Sequence, residues 1–503
     1  YDKYFQELAD TVSFNETFAL SMINATMLRL GGEMRDGIWF MNDSPVNITL
    51  ITNNLSGYRD THTLIPAVRR TFEKAGFAVN VFYYDTLDIF DTDERDLEYH
   101  ASLGILVYYS DYHKDFLRRL VMRSAPENKK LYTDEGNWVY EDPELDEIAR
   151  KLEETEIMSE DEDLALIQEG HRIMLERSYM TTLVAQDVYH AKRKEISGAY
   201  PQRVSGLRNF KTLRSLKADD GTLVIGTERT IFPDDYLNQM IVSDGNIYRM
   251  DMKHFLVDSI TQRDPNTFVF KGYRISFGST LFKEPQKMPE DAFFWDFAND
   301  GWIPAEGTYR MTLSYNFSDF MQQTFHDGSK ISWADVLYHL GDDYKDTYGS
   351  WSNRPHEYDK SVRGYRIDGN MLVVYLDEVY YDPSSLVETY SLDPIVSHSG
   401  LARMVDALDM YNYSSSGAFD GTDPVHVDAF FDTLDDLDMA YLAPFVTVGN
   451  TSYLTAEELA DKKEMLKQWY QETGVLYSGT GAYYLEDIDK QTGTITLKSF
   501  SDY

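Results

Sequence analysis

The stretch Phe325-His-Asp-Gly-Ser-Lys-Ile-Ser-Trp-Ala-Asp-Val336 decides the fold of this chain. Asp327 and Gly328 favour a tight turn, because aspartate bonds nearby backbone and glycine accepts a positive φ. Ser332 is followed three residues later by Asp335, which resembles a capping box with aspartate in place of the usual glutamate. The stretch therefore predicts a turn followed by the first turn of a helix, and on these residues alone it is scaffold.

Length and composition limit the class of protein. The chain has 503 residues, of which 43% are hydrophobic, so two or three domains with real cores are expected. Acidic residues outnumber basic ones 84 to 47, and the net charge of −37 disfavours nucleic-acid binding and docking to anionic membranes. The sequence contains no cysteine, which excludes thiol catalysis, disulfides and cysteine-ligated metals. No apolar run approaches the roughly 18 residues needed to cross a bilayer.

The first half of the chain predicts a βαβ unit. Residues 46–50 alternate as a strand does, 63–75 have the pattern of a helix that closes on Gly76, and 77–82 form the next strand. The two strands are expected to be parallel and joined by a right-handed crossover. A further apolar run predicts a third strand at 103–108.

A pair of helices is predicted next. Asp142 is a candidate N-cap before Pro143, and an apolar stripe at helical spacing follows, formed by Leu145, Ile148, Ala149 and Leu152. The acidic residues 153–163 are expected to connect this helix to a second one, which carries Leu164, Ile167 and Met174.

The second half of the chain is predicted to be rich in strands, at 222–226, 268–270, 309–313 and 372–376. Thr455 and Glu458 form a full capping box, and the helix that they start is expected to end before Gly474. The predicted organisation is a helical lead-in at 1–43, an α/β lobe at 44–200 and a larger mixed α/β lobe at 201–503.

No catalytic or metal motif is present in the sequence. The eleven histidines show no HExxH or HxxxH spacing, and no nucleophile elbow or phosphate-binding glycine loop occurs. Among 84 acidic residues no carboxylate pair stands out as a glycosidase pair. Asp91 and Asp93 are compatible with a calcium loop or with a solvated acidic turn. We therefore predict that the protein is not an enzyme and that it has no cofactor and no metal site.

The asparagines indicate the compartment. Of 19 asparagines, eight lie in N-x-[ST] sequons, namely Asn15, Asn24, Asn42, Asn47, Asn54, Asn316, Asn412 and Asn450. Chance predicts about two or three. Local polar composition is one explanation, and the preferred one is glycosylation of a protein that lies outside the cytoplasm.

Several motifs together resemble one known family. The 325–336 stretch resembles the F-H-D-G-x-x-φ-[ST]-x-x-D-V signature (φ apolar) of the peptide-type solute-binding proteins of ABC importers, which bind dipeptides or oligopeptides. Glu306-Gly-Thr-Tyr-Arg-Met-Thr-Leu313 is similar to the strand that precedes this signature. Gly479-Thr-Gly-Ala-Tyr483 resembles the family's G-T-G-P-[YF] turn, with Ala482 in place of proline, and Gly493-Thr-Ile-Thr-Leu-Lys498 resembles the strand after it.

The first half of the chain resembles the same family. Phe72-Glu-Lys-Ala-Gly-Phe-Ala-Val-Asn-Val81 is similar to its G-[IF]-x-V-x-[VL] unit, and Tyr140-Glu-Asp-Pro-Glu-Leu-Asp146 to its N-P-E-L-D helix start, with the expected helix at 169–176. In the family these segments follow the F-H-D-G segment, whereas in this chain they precede it. The chain is thus expected either to be circularly permuted or to span the end of one copy and the start of another. The missing first half of the second lobe is expected before Tyr1 in a longer precursor, as in archaeal-type members.

The resemblance implies an α/β, two-lobed periplasmic-binding-protein-like (type II, Venus-flytrap) fold, permuted or incomplete. It also implies a function, the capture of peptides or similar oligomers for delivery to an ABC permease. The expected location is extracellular or at the cell surface, with membrane anchoring through a segment outside this chain. An extracellular structural, coat or filament-forming glycoprotein that reuses the fold is the alternative, and it would self-associate.

The resemblance also implies ligand-binding residues. Tyr109-Ser-Asp-Tyr112 resembles the family's W-x-A-D-Y segment, whose aspartate receives the α-ammonium group of a peptide. This role falls on Asp111, with Tyr108 or Tyr109 in place of the tryptophan and Tyr112 at the final tyrosine. The alternative is that Asp111 is one more solvated loop aspartate.

Overall fold

A computed structural model divides the chain into two compact units, residues 1–186 and residues 187–503. The structure describes residues 15–53, 59–84, 99–103, 142–154, 159–177, 191–201, 206–207, 209–219, 221–226, 252, 255–258, 261–264, 270–296, 299–349, 361–377, 379–381, 386–387, 421–489 and 491–501. Within these residues the protein is of mixed α/β class, with several separate sheets. None of the described helices is long and apolar enough to span a membrane.

The first unit begins with a helix and a small antiparallel sheet. Helix α1 (Glu16–Arg29) is capped by Asn15, whose Oδ1 accepts a hydrogen bond from the Phe18 N–H at 2.9 Å. The sheet consists of β1 (Glu33–Arg35), β2 (Ile38–Met41) and β3 (Ser44–Pro45). Its strands are joined by two-residue turns, Asp36-Gly37 and Asn42-Asp43, and all four residues have positive φ. The prediction of a helical lead-in at 1–43 is therefore wrong from residue 33 onward, because these turns fold the chain into hairpins.

The predicted βαβ unit is present. Strands β4 (Asn47–Asn53) and β5 (Ala78–Tyr84) are parallel and joined by α2 (Arg59–Lys74), and β6 (Ala101–Leu103) is parallel to β4 on its other side. Of the strand predicted at 103–108, only Leu103 lies within the described residues. The core of the unit includes Leu50, Ile51 and Ile65, which are almost fully buried. Gly76 follows α2 with a φ of +91°, and a Cβ at this position would lie only 2.8 Å from the Trp39 ring.

The predicted helix pair is also present, as α3 (Pro143–Glu154) and α4 (Glu160–Arg177). The Asp142 carboxylate caps α3 by accepting the Glu144 and Leu145 N–H groups at 3.1 Å, and the whole predicted apolar stripe is buried. The acidic stretch is a connection only in part, since residues 160–163 form the first turn of α4. Four acidic residues there face the positive end of the helix dipole, which favours this start.

The second unit opens with short elements. Helix α5 (Phe210–Ser215) is followed by the antiparallel pair β7 (Thr261–Arg263) and β8 (Phe270–Gly272). Residues 222–226, which were predicted to be a strand, form neither a strand nor a helix. Val224 is 86% and Ile225 49% exposed, so these two apolar residues of the predicted strand are not buried.

A six-stranded antiparallel sheet forms the centre of this unit, in the order β11-β10-β13-β14-β12-β9. Its strands are β9 (Ser276–Lys287), β10 (Phe293–Asp296), β11 (Gly301–Pro304), β12 (Thr308–Asn316), β13 (Val362–Asp368) and β14 (Met371–Leu376). The strands predicted at 309–313 and 372–376 are the paired β12 and β14.

Helices cover this sheet and lead to a final hairpin. The elements are a 3-10 turn (Phe320–Gln322), α6 (Trp333–Gly349), α7 (Pro424–Asp436), α8 (Met439–Val446), the short pair β15 (Thr447–Val448) and β16 (Thr451–Ser452), α9 (Ala456–Thr473), and the hairpin β17 (Tyr483–Asp489) and β18 (Thr494–Ser499). Trp295 of β10 stacks on Phe445 of α8, with ring centroids 5.2 Å apart. Thr455 and Glu458 make the full capping box of α9, and Gly474 ends that helix with a φ of +69°.

Candidate functional site

The 325–329 turn is organised by Asp327. The Phe325 N–H donates to the Ser329 carbonyl and the Gly328 N–H donates to the Phe325 carbonyl, both at 2.9 Å. Asp327 Oδ1 accepts the Ser329 N–H at 2.9 Å and the Ser329 hydroxyl at 2.6 Å. Gly328 has a φ of +83°, which favours glycine. The turn predicted from the sequence is therefore present, and Asp327 holds it.

His326 connects this turn to the 478–481 segment. Its imidazole is 3% exposed, its Nδ1 accepts the Gly479 N–H at 3.1 Å, and its Nε2 then carries the proton and donates to the Gly481 carbonyl at 2.8 Å. The His326 N–H donates to the Gly479 carbonyl and the Asp327 N–H to the Ser478 hydroxyl. Two segments about 150 residues apart are thus joined by four hydrogen bonds. We call residues 325–329 together with 478–481 the motif junction.

The environment of the motif junction keeps His326 neutral. Burial, with a smaller contribution from the Arg214 guanidinium, lowers the pKa of the His326 imidazole to about 4. A neutral ring is required there, because Nδ1 must offer a lone pair to the Gly479 N–H. Burial also raises the pKa of the neighbouring Asp327 carboxyl, against the effect of its bonds to Ser329.

Glycines at 479 and 481 are required by a third segment, 255–258. A Cβ on Gly479 would lie 2.2 Å from the Leu256 carbonyl oxygen, and one on Gly481 would lie 2.2 Å from that of Phe255. The Gly481 N–H donates to the Leu256 carbonyl at 2.8 Å. The G-T-G pattern is thus explained by close backbone contact.

Asp258 is the buried charge behind this contact. Its side chain is fully buried, and its oxygens meet Arg214 Nη2 at 2.5 Å and Arg274 Nε at 2.9 Å. Its backbone N–H donates to the Thr480 hydroxyl at 3.2 Å. Burial removes the Asp258 carboxylate from water, and the two guanidinium groups compensate for this cost. Without them the buried charge would be strongly destabilising.

The start of α6 is held by hydrogen bonds between Ser332 and Asp335 and by Lys462 of α9. Asp335 Oδ2 accepts the Ser332 N–H at 2.8 Å and the Ser332 hydroxyl at 3.0 Å. The Ser332 hydroxyl therefore donates to Asp335, so only half of the predicted capping box is formed. Lys462 of α9 contacts Asp335 at 3.3 Å, donates to the Lys330 carbonyl at 2.7 Å, and lies 5.5 Å above the Phe325 ring.

These contacts describe a scaffold. Both ring nitrogens of His326 are engaged with backbone groups, and Asp258 is engaged with two arginines. Within the described ranges, no three histidine, aspartate or glutamate side chains converge as metal ligands. The motif junction can therefore hold three chain segments together, and its groups are not placed to transfer protons to a bound molecule.

Other residues predicted as sites fall in different places. Tyr108, Tyr109, Asp111 and Tyr112 lie outside the described residues, so the ligand-binding assignment stays a prediction. Of the sequon asparagines, the exposed ones are Asn15, Asn24, Asn42, Asn47 and Asn450. Asn316 is half-buried in β12, and its Oδ1 accepts both the N–H and the hydroxyl of Ser318. Asn54 and Asn412 lie outside the described residues, as do Asp91 and Asp93.

Sequence analysis missed the ion-pair group of Asp258, Arg214 and Arg274. Asp258 is one of 84 acidic residues, and no periodic pattern or motif distinguishes it from the others. The glycines at 479 and 481 were the signal that could have found it, because glycines in a predicted turn indicate that another backbone approaches closely.

Comparison with solved structures gives a distant similarity. No protein-family model matches the chain, and no curated protein matches it. Among solved structures, the chain is similar to the oligopeptide-binding protein AppA from Bacillus subtilis in complex with a nonapeptide, with 15% sequence identity and a TM-score of 0.22. The match covers 33% of this chain and 30% of that chain, so it spans less than a third of that protein's length.

Proposed function

We propose that this protein is an extracellular solute-binding protein that captures peptides or similar oligomers for an ABC importer. The observation that carries the proposal is the motif junction. The F-H-D-G and G-T-G-A-Y stretches resemble one family independently in the sequence, and in the fold they meet through hydrogen bonds of His326 with Gly479 and Gly481. Two chance matches about 150 residues apart would not be expected to meet through a histidine and two glycines.

The proposed mechanism follows from the resemblance. A protein of this family holds its ligand in a cleft between hinged lobes, and closure buries the ligand against backbone and side-chain groups. In this proposal Asp111 pairs with the α-ammonium group of the peptide, and Tyr108, Tyr109 and Tyr112 pack beside it. A carboxylate and an ammonium group pair strongly where closure excludes water.

The test uses free-amine peptides and their N-acetylated forms with the full chain. The wild type should bind free-amine peptides more tightly, and Asp111→Asn should weaken that binding by about 1.5–3 kcal/mol, the range for charge-assisted hydrogen bonds. Asp115→Asn is the matched control, because it removes a carboxylate four residues away. Equal affinity of Asp111→Asn and wild type, measured by titration calorimetry, would remove Asp111 from the site. Absence of any peptide ligand by mass spectrometry of the native protein, with no thermal shift from peptide mixtures, would count against the function itself.

A structural or coat glycoprotein is the second candidate. The observation in its favour is that four exposed sequon asparagines lie within 15–47, at the N-cap and within α1, in the turn between β2 and β3, and at the start of β4. Glycans at these positions would cover this surface. Concentration-dependent assembly of the glycosylated protein in light scattering, together with failure to bind peptides, would favour this candidate.

A further inference from the structure

The two edges of the six-stranded sheet differ in how they are protected. The β11 edge is only four residues long and ends with Pro304. Trp302 of β11 is buried, and its indole N–H donates to the Phe445 carbonyl in α8. Short length, a proline and a covering helix are the means by which proteins prevent further strand pairing at an edge.

The β9 edge lacks this protection in its first half. β9 is twelve residues long, pairs only with β12 among the described strands, and is exposed along most of its length. Residues 276–281, with sequence Ser-Phe-Gly-Ser-Thr-Leu, contain no charge and no proline, and their register with β12 is unbroken. A long, uncharged and regular edge is a template for an added strand.

The second half of β9 has the protection that the first half lacks. The register with β12 shifts after Leu281, and Lys283, Pro285 and Lys287 follow. Charges, prolines and irregular register all discourage strand addition. The boundary at Leu281 therefore separates a protected segment from an open one within a single strand.

The open segment also continues the apolar face of the sheet. On β12, Met311, Leu313 and Tyr315 are buried, and they lie opposite Leu281, Ser279 and Phe277. The same face of β9 is less covered, since Leu281 is 37% exposed and Phe277 is only partly buried. A strand added beside β9 would cover these two side chains with its own.

Within the described part of the chain, the side of the open segment away from β12 has no backbone partner. Alternate residues of an edge strand direct their N–H and C=O groups away from the sheet. Among the backbone hydrogen bonds that the described residues make outside the strand ladders, none involves residues 276–281.

Charge and area favour a peptide over a second copy of the chain. Two whole chains would each bring a net charge of −37. Six residues span only about 20 Å, far too little contact for a stable dimer by itself.

We propose that the 276–281 edge of β9 binds an extended peptide segment as an additional strand of the sheet. Backbone hydrogen bonds provide the pairing, and Phe277 and Leu281 receive apolar side chains. Asp111 is not part of this edge and no free α-ammonium group is needed, so the proposal can fail without the failure of the proposed function.

The test uses a fluorescein-labelled, N-acetylated peptide with alternating valine and threonine in its centre and uncharged polar residues at both ends. Fluorescence anisotropy with the full chain should show saturable binding. The same peptide with alternate amides N-methylated should bind about tenfold more weakly, because methylation removes the backbone donors. Asp111→Asn should leave this binding unchanged.

Substitutions test whether the peptide binds at β9. Leu281→Glu should weaken binding at least about tenfold, because it removes an apolar contact and places a charge on the edge. Its matched control is Val425→Glu, which replaces a 70% exposed apolar residue on α7 and should bind normally.

Three results would overturn the proposal. They are absence of saturable binding, equal binding of the N-methylated peptide, and wild-type affinity in Leu281→Glu. Concentration-dependent dimerisation that Leu281→Glu abolishes, seen by analytical ultracentrifugation without any peptide binding, would assign the edge to a second copy of the chain instead.

Discussion

The motif junction and the β9 edge belong to the same compact unit, yet they treat their polar groups in opposite ways. In the motif junction the His326 ring and the backbone of the 478–481 turn are buried and joined by hydrogen bonds, and the Asp258 carboxylate behind them is buried and paired. Along β9 alternate backbone groups of residues 276–281 face away from β12, and among the described residues they make no other backbone hydrogen bonds. Buried, paired groups are expected to determine stability, whereas exposed, unpaired groups are expected to determine what the surface binds.

The largest expected effect concerns the buried ion pairs of Asp258, behind the motif junction. Asp258→Ala leaves Arg214 and Arg274 without their shared carboxylate, and loss of one partner of a buried ion pair costs about 3–5 kcal/mol. Urea denaturation should show this as a lower midpoint with an unchanged slope. Asp377→Ala is the control, because its pair with Arg363 is exposed and should contribute less than about 1 kcal/mol. Equal losses in the two variants would mean that burial of the ion pair does not matter.

The next effect is the pH dependence that His326 imposes. The folded-state pKa of about 4 lies below the ordinary value of 6.5, so below pH 6.5 the unfolded chain binds a proton that the folded chain does not. The free energy of unfolding should therefore fall between pH 6.5 and pH 4, by about 3 kcal/mol from this group.

The control for this prediction is His326→Gln, which cannot titrate. The difference in unfolding free energy between wild type and variant should shrink as the pH falls through this range. Asp327 acts in the opposite direction, because a raised folded-state pKa makes its protonation favour the folded state, but it is common to both proteins and cancels in the difference. A difference that does not change with pH would show that His326 is not held neutral by burial.

A smaller effect separates the two capping sequences. Thr455 makes a full capping box, so Thr455→Ala should destabilise the protein by about 1 kcal/mol. The Ser332 hydroxyl donates to Asp335 and caps no N–H group, and the Ser332 N–H keeps its bond to the same carboxylate in the variant, so Ser332→Ala should cost less than Thr455→Ala. Thermal unfolding of the two variants in parallel checks this order. A larger loss of stability in Ser332→Ala would indicate that Ser332 makes the full capping box predicted from the sequence.

Sequence analysis was most successful where local patterns determine structure. The alternating residues of β4, the stripe of α3 and the capping box of α9 each report a local requirement, and these elements are present as predicted. The turn Asp36-Gly37 carried an equally local signal for a hairpin, but the helical prediction for 1–43 overlooked it.

Long-range features could not be predicted in the same way. The pairing of Asp258 with Arg214 and Arg274 depends on which segments meet, and no single stretch of sequence encodes it. The apolar residues at 222–226 form no strand, because a strand requires a partner and the sequence does not show whether one is nearby. The same limit applies to β9, whose openness depends on its edge position in the sheet.

The smallest expected effect on stability concerns Leu281, in the 276–281 segment of β9. Leu281→Glu should change the unfolding free energy by no more than about 0.5 kcal/mol, because the side chain is 37% exposed and glutamate can extend into solvent. The same substitution is expected to abolish most peptide binding. Asp258→Ala should show the reverse pattern, because it lowers the stability of the fold and changes no residue of the edge. Circular dichroism melts beside the anisotropy titration give both quantities from one preparation. A large loss of stability in Leu281→Glu would mean that Leu281 belongs to the core and that 276–281 is not an open edge, and the contrast between the two regions would then disappear.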